Sequence, residues 1–256
     1  MNRKTFDKLT AAIIEKKPLI HCMTNRVADN YTANCLLAMG ASPAMIYDYD
    51  EVAHFTALSS ALLLNVGTIT KEEKPAFLLA ARTAADKNIP WVLDPVASGV
   101  IPARDAFLEE LLGLKPWIIR GNAGEILALA GRKGTMKGVD SLSTSDEARE
   151  AADALAQRTG AIVAVTGKTD LVTDGKISIT LTGGSSLSTY VTGLGCALSA
   201  MCAAFLTVTP ERMEAAYACL AFSKTAQETA RSRVGVPAAY SLAYIDELYV
   251  ISHAQF

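Results

Sequence analysis

The chain is 256 residues long, half of them hydrophobic, with 24 Lys and Arg against 26 Asp and Glu for a formal net charge of −2. With 20% charged residues and a mean hydropathy of +0.24, the composition excludes a disordered chain and supplies the core of one sizeable α/β domain over residues 1–256. No apolar run approaches the roughly 20 residues of a spanning helix, and no basic run is present to displace counterions, so neither a membrane nor a nucleic acid is an expected partner.

The stretch Met1 to Lys17 breaks its apolar residues with Lys4, Asp7, Lys8, Glu15 and Lys16, so it lacks the apolar core of a signal peptide and a cytoplasmic location is expected. Pro18 to Met23, Ala61 to Val66, Trp91 to Leu93, Trp117 to Ile119 and Ala161 to Val165 are short apolar runs without polar alternation. Strands covered on both faces read this way. Between them, Ala28 to Met39, Lys71 to Lys87, Asp105 to Leu112, Glu125 to Ala130 and Ser145 to Arg158 carry helical periodicity, which predicts a mostly parallel sheet with helices on both faces. After Gly167 the order changes. Leu171 to Thr173 and Lys176 to Leu181 flank Asp174-Gly175, a pair suited to a hairpin turn, so antiparallel strands should finish one edge. The remainder is helical, through Ala197 to Leu206, Pro210 to Ser232 and Ala239 to Ile251.

Cys22, Cys35, Cys196, Cys202 and Cys219 are an odd set with no CxxC pair, and they read as reduced thiols. Of these, Cys196 alone has a suggestive position. Val191-Thr192-Gly193-Leu194-Gly195-Cys196 runs straight into a helix, where glycines let successive N–H groups turn toward one point and the helix N-terminus adds positive potential. An anion would be held there, and the same field would lower the Cys196 pKa toward thiolate. A tight loop followed by a core cysteine is the plainer alternative.

Asp94 follows a buried strand in Leu93-Asp94-Pro95-Val96, where the ligand crevice of an open α/β sheet opens, so it is a candidate for metal or phosphate work or else a helix cap. In Arg120-Gly121-Asn122-Ala123-Gly124-Glu125, Asn122 and Glu125 stand one helical turn apart. Their oxygens suit Mg²⁺, which takes one or two carboxylates plus waters and phosphates, or they form a capping box that needs no ligand. Arg120 would pair with a phosphate. Thr166-Gly167-Lys168-Thr169 imitates the end of a P-loop, but the glycine spacing from Gly160 is wrong and a strand follows. The Thr166 hydroxyl should still lie near Asp94 and Arg120. Asn25, Gly67 and Thr68 end or follow other predicted strands, Met45 closes a turn and short apolar stretch from Gly40, and together they offer amide, thioether and hydroxyl contacts for an uncharged, partly aromatic small molecule. His21 reads as a hydrogen-bonded core residue, and His54 and His253 have no partner at catalytic spacing.

Taken in order, Pro18 to Asn25, Gly40 to Met45, Leu64 to Thr68, Leu93 to Val96, Arg120 to Glu125, Ala164 to Gly167 and Thr192 to Cys196 resemble the hydroxyethylthiazole kinases over most of the chain. The resemblance implies a ribokinase-like fold and MgATP-dependent phosphorylation of the primary alcohol of 4-methyl-5-(2-hydroxyethyl)thiazole. It also implies a role in thiamine salvage and biosynthesis, and a homotrimer with active sites between subunits. Carried onto this sequence, Met45 and Gly193 would contact the thiazole, with Asn25, Gly67 and Thr68 near it. Arg120 and Thr166, with Asn122 beside them, would serve ATP, and Asp94 with Glu125 would organise Mg²⁺ and its waters. Gly193, Gly195 and Cys196 would form an anion hole, with Cys196 at the place where the wider superfamily has an aspartate base. Leu194 inside the glycine loop and Ala97 after Val96 depart from the family pattern, which has a small or hydroxylated residue and a glycine there.

Three other readings remain open at this stage. One is a related kinase acting on a hydroxymethylpyrimidine or pyridoxal. Another is an acyl-transfer enzyme with Cys196 as nucleophile, which would need a histidine base. The third is a binding module without activity.

Overall fold

The apolar runs lack polar alternation because helices cover both faces of the sheet they form. Every residue of the strands Ala61–Asn65 and Trp91–Asp94 is buried. The computed structural model describes residues 3–131 and 143–254. Its strands are β1 (Leu19–Met23), β2 (Ser42–Ala44), β3 (Ala61–Asn65), β4 (Trp91–Asp94), β5 (Ile118–Asn122), β6 (Ile162–Thr166), β7 (Asp170–Thr173) and β8 (Ser178–Leu181). They lie side by side in the order β2-β1-β3-β4-β5-β6-β7-β8. From β2 to β6 the pairing is parallel, with registers such as Leu63↔Val92 and Ile119↔Val163, and β7 and β8 close the edge antiparallel, as expected. The Asp-Gly turn is one of four residues, because Asp174 Oδ1 accepts from the N–H groups of Lys176 and Ile177 and the last strand starts at Ser178.

Two apolar clusters sandwich the sheet. One face carries α1 (Arg3–Lys16), α2 (Asp29–Ala38), α8 (Leu194–Leu206), α9 (Arg212–Arg233) and α10 (Pro237–His253). The other carries α3 (Tyr49–Leu58), α4 (Lys74–Asp86), α5 (Pro102–Leu112), α6 (Ala123–Leu129) and α7 (Ser143–Thr159). Of these, α8 is the most deeply set. All its residues except Gly195 and Cys196 are buried, so it is a core helix on every side that presents only its first turn. Leu194 is 6% exposed and packs into this core, so the departure at that position is accommodated within the packing of a single chain.

Besides the 3-10 helix Ser186–Tyr190, three elements go beyond the sequence expectations. In α1, Leu9, Thr10 and Ile13 face the core, a spacing masked by the charges around it. In α3, only Val52 and Thr56 are buried, too few to give a periodic signal, although Asp48 caps its start through Asp50 N. β2 is a three-residue edge strand containing Pro43, a residue tolerated at an edge.

Candidate active site

The carboxyl ends of β1, β3, β4, β5 and β6 deliver Thr24 and Asn25, Asn65 to Thr68, Asp94, Arg120 to Asn122, and Thr166 to one side of the sheet. The first turn of α8 faces them. Gly193 is the α8 N-cap with φ +87°, a backbone that favours glycine, and a Cβ there would come 3.2 Å from Ala28 Cβ, a tight contact that Ala28 would have to yield to. A Cβ at Gly195 would stand 3.0 Å from an Arg120 guanidinium nitrogen, which fits the 3.0 Å hydrogen bond from Arg120 to the Gly195 carbonyl.

A polar seam links these groups. Asn25 Nδ2 donates to Cys196 Sγ at 2.8 Å and to Asn65 Oδ1 at 3.3 Å, and Gly67 N also donates to Asn65 Oδ1 at 2.9 Å. Asn65 Nδ2 donates to Asp94 Oδ2 at 2.7 Å, and Ser199, three residues beyond Cys196 on α8, donates to the same oxygen at 2.8 Å. Arg120 lies 3.9 Å from Asp94 Oδ2 and donates a short hydrogen bond to the Thr166 hydroxyl. The Thr166 side chain thus joins Arg120, on the side of the sheet that carries Asp94. The rest of the P-loop look-alike is followed by β7, a strand.

Asn122 and Glu125 form the capping box of α6. Asn122 Oδ1 accepts from Glu125 N, and Glu125 Oε2 accepts from Asn122 N. Glu125 Oε1 also accepts from Ala97 N at 3.1 Å. The capping alternative is therefore realised, and it fixes the Glu125 carboxylate beside the loop that follows Asp94. Ala97 has φ +60°, a left-handed backbone that the glycine expected after Val96 would adopt without strain. Thr68 Oγ1 accepts from Arg26 N, and Met45 is half-buried against the α8 core.

The electrostatics correct one expectation. Asp94 is 1% exposed, and burial pushes its carboxyl up to about 7 against the opposing pull of Arg120, Ser199 and Asn65. The Cys196 thiol is pushed up to about 11, first by burial and then by the Asp94 charge, with Asn25, Asn65 and Arg120 pulling the other way. The helix field was expected to lower this thiol, but desolvation outweighs it and Cys196 is a neutral thiol at rest. The remaining cysteines, Cys22, Cys35, Cys202 and Cys219, are free and buried. His21 is the core histidine expected, bonded to Thr56 Oγ1 and the Ile46 carbonyl. His253 bonds Tyr249 O within α10, and His54 is exposed on α3, so neither is a base for Cys196.

Three site residues escaped sequence reasoning. Asn65 was visible only as the end of a strand, and Ser199 only as a hydroxyl in an otherwise apolar helix. Arg104 gave no signal, yet its guanidinium donates to Val96 O at 3.0 Å and Gly67 O at 2.9 Å, bolting together the loops after β4 and β3.

A mostly parallel sheet whose strand ends carry a buried aspartate, an arginine and a glycine-headed core helix has the ribokinase-like architecture. The folds of a ribokinase-like superfamily protein from Enterococcus faecalis (TM-score 0.63, 10% identity, 91% of this chain and 87% of that one) and of a Bacillus subtilis pyridoxal kinase solved as an ADP complex (TM-score 0.63, 22% identity, 81% and 90%) agree with it. Residues 10–254 match the model of the hydroxyethylthiazole kinase family. The chain is 49% identical over 232 residues to a hydroxyethylthiazole kinase of Klebsiella pneumoniae strain 342, covering 91% of this chain and 90% of that protein. A hydroxyethylthiazole kinase structure from Pyrococcus horikoshii OT3 superposes with a TM-score of 0.89 at 32% identity, over 96% of this chain and 93% of that one. The chain belongs to the hydroxyethylthiazole kinase family and is a kinase of a thiazole alcohol.

Proposed function

We propose that the chain transfers the terminal phosphoryl group of ATP to the primary alcohol of 4-methyl-5-(2-hydroxyethyl)thiazole, with Mg²⁺ as cofactor, and supplies thiazole phosphate for thiamine salvage and biosynthesis. The polar seam carries this reading: an amide and thiol at one end, Asn25 and Cys196, are wired through Asn65 to Asp94, Arg120 and Thr166 at the other. Phosphoryl transfer asks chiefly for alignment of the two substrates and neutralisation of spreading charge. In this reading Asn25, Met45, Gly67, Thr68 and Gly193 receive the alcohol, while Arg120, Thr166 and Asn122 receive the nucleotide. The N–H groups of Gly193, Gly195 and Cys196, at the positive end of α8, face the transferred group.

The donor set fits Mg²⁺. Asn65 and Ser199 both take Asp94 Oδ2, leaving Oδ1 for a cation, and Glu125 has both oxygens held by backbone N–H groups, which suits contact through water. Bound by Asp94 and Glu125, the ion would draw charge from the phosphoryl oxygens. Cys196 enters as a neutral thiol that lines the anion hole and keeps its hydrogen bond from Asn25. In a loose transition state the alcohol keeps its proton until late and passes it to an oxygen of the incoming phosphoryl group as the new P–O bond forms and the bond to ADP breaks, so no resting thiolate is required.

The working unit of this reading is a cytoplasmic homotrimer with active sites at subunit interfaces. Exposed Val27 and Leu242 support it, since Val27 adjoins Ala28, which abuts Gly193, and Leu242 adjoins Ser241, whose carbonyl is bonded by Tyr31. No described helix is long and apolar enough to cross a membrane. The test is a phosphorylation screen with ATP across thiazole, hydroxymethylpyrimidine and pyridoxal alcohols, with and without Mg²⁺. Transfer to the thiazole alcohol that depends on Mg²⁺ is expected. No transfer to any of them would overturn the reading, and preference for pyridoxal would replace its substrate.

A further inference from the structure

Two buried charges of opposite sign lie beside the nucleotide end of the seam without belonging to it. Asp170 is 4% exposed and Lys224 is 7% exposed. Lys224 Nζ, on α9, lies 3.3 Å from Asp170 Oδ1 and donates to Gly183 O at 3.0 Å. Asp170 opens β7, and the same Oδ1 accepts from Gly167 N at 2.9 Å, closing the turn that follows Thr166. Because Val165 pairs with Leu171 across the antiparallel β6–β7 ladder, Asp170 falls opposite Thr166, the residue that holds Arg120. Asp170 also lies within electrostatic range of Arg120. The carboxylate thus has two cations to choose from, Lys224 in contact and Arg120 beyond the next strand.

Arg120 has other duties. Its guanidinium spans the Gly195 carbonyl and the Thr166 hydroxyl and faces Asp94, while its buried Nε has no partner among the described residues. A second unneutralised carboxylate in this low-dielectric setting would draw the guanidinium out of that arrangement. Lys224 meets that carboxylate with an opposite charge from α9. The adjoining side chains of α9 fix the loop that leads back to Gly193, with Gln227 accepting from Ser185 N at 3.2 Å and Glu228 from Gly184 N at 3.0 Å.

We infer that Lys224 is a positioning residue for the nucleotide: it neutralises Asp170 so that Arg120 stays on Thr166 and Gly195, where the ATP phosphates are received. This rests on the reading of Arg120 and Thr166 given above. A purely structural ion pair and a positioning one differ in what the second substitution does. If Lys224 only holds the fold together, removing Asp170 as well restores no nucleotide affinity. If Lys224 guards Arg120, removing the stray carboxylate restores it.

The experiment compares full-length wild type, Lys224→Met, Lys224→Met/Asp170→Asn and Arg120→Met by steady-state kinetics with each substrate varied, alongside melting curves. Lys224→Met is expected to raise KM for ATP about tenfold with KM for the alcohol changed less than about twofold, and the double variant to return ATP KM to within about threefold of wild type. A double variant as impaired toward ATP as the single one overturns the inference. So does an unchanged ATP KM in Lys224→Met when Arg120→Met raises it, an outcome that leaves the nucleotide reading intact. If neither single variant alters ATP KM, the nucleotide reading itself fails, and the inference with it. Should Lys224→Met not accumulate as folded protein, Lys224→Gln, which keeps a donor for Gly183 O, takes its place with the same expected outcomes.

Discussion

The two ends of the sheet differ in a way that cavity size alone would misread. At the amino ends lies a cleft of about 570 Å³ whose walls include Pro18, Ser60, Pro90 and Trp117, the residues just before β1, β3, β4 and β5. Its charged neighbours are already occupied: Lys16 Nζ bonds the Thr207 carbonyl, and Arg212 stacks 4.0 Å over the Trp117 ring. No carboxylate lines it among the described residues. At the carboxyl ends the strands instead deliver a buried aspartate, two asparagines and an arginine into one hydrogen-bonded seam. The same helix joins the ends, since α8 begins at the seam and its last residue, Leu206, lines the cleft. Burial of polar groups costs free energy, so their concentration at one end of the strands is the ground for proposing the active site there.

Substitutions at the two ends sharpen this contrast. The largest effect is expected at Asp94, where Asp94→Asn should lower kcat/KM by about 10³-fold or more, because it removes the buried carboxylate while keeping acceptors for Asn65 and Ser199. The same variant should melt at a higher temperature than wild type in metal-free protein at pH 8. The Asp94 carboxyl stands at about 7 in the fold against 3.8 in the unfolded chain, so the folded state holds a proton that the unfolded state releases first, and stability falls as pH rises between those values. The melting advantage of Asp94→Asn should therefore shrink toward pH 4, and an advantage independent of pH would show that burial of the charge is not its origin.

Cys196→Ala should retain part of its activity, falling about tenfold, since the neutral thiol lines the site rather than carrying resting charge, and Cys196→Asp should remain active, since a carboxylate there can take the alcohol's proton. Turnover equal to wild type in Cys196→Ala under saturating MgATP would remove the thiol from the mechanism altogether. A smaller effect is expected at Ala97, where Ala97→Gly should stabilise the protein by about 1 kcal/mol by relieving the left-handed backbone, read as a shift in denaturant midpoint. The smallest belongs to the amino end: Lys16→Ala should leave kcat/KM within about twofold of wild type, as expected of an exposed residue away from the chemistry.

How far the sequence foretold this arrangement depends on the range of each interaction. The central strands were legible because burial on both faces writes itself as uninterrupted apolar runs, and the edge hairpin because Asp174-Gly175 sits between two of them. The strand-end motifs at Asp94, Arg120 and Thr166 were legible as positions, since a parallel sheet brings its carboxyl ends together. The chemical state of Cys196 was not. The helix N-terminus is a local feature, whereas the desolvation that defeats it comes from the packing of α8 against the sheet. Asn65, Ser199, Arg104 and the Asp170–Lys224 pair were illegible for the same reason, because their partners lie 29 to 105 residues away. Their nearer contacts, Asn65 with Gly67 two residues on, Asp170 with Gly167 three away, Ser199 with Gly195 four away and Arg104 with Val96 eight away, are local and do not bring the seam together.

Hydrogen exchange of the full chain, with and without the thiazole alcohol and a non-hydrolysable ATP analogue, tests the placement of function most directly. The account predicts protection after ligand addition at the strand-end segments around Asn25, Gly67, Asp94, Arg120 and Thr166 and in the first turn of α8, with the residues lining the amino-end cleft unchanged. Protection confined to the cleft around Trp117 and Thr207, with the seam unaffected, would contradict it.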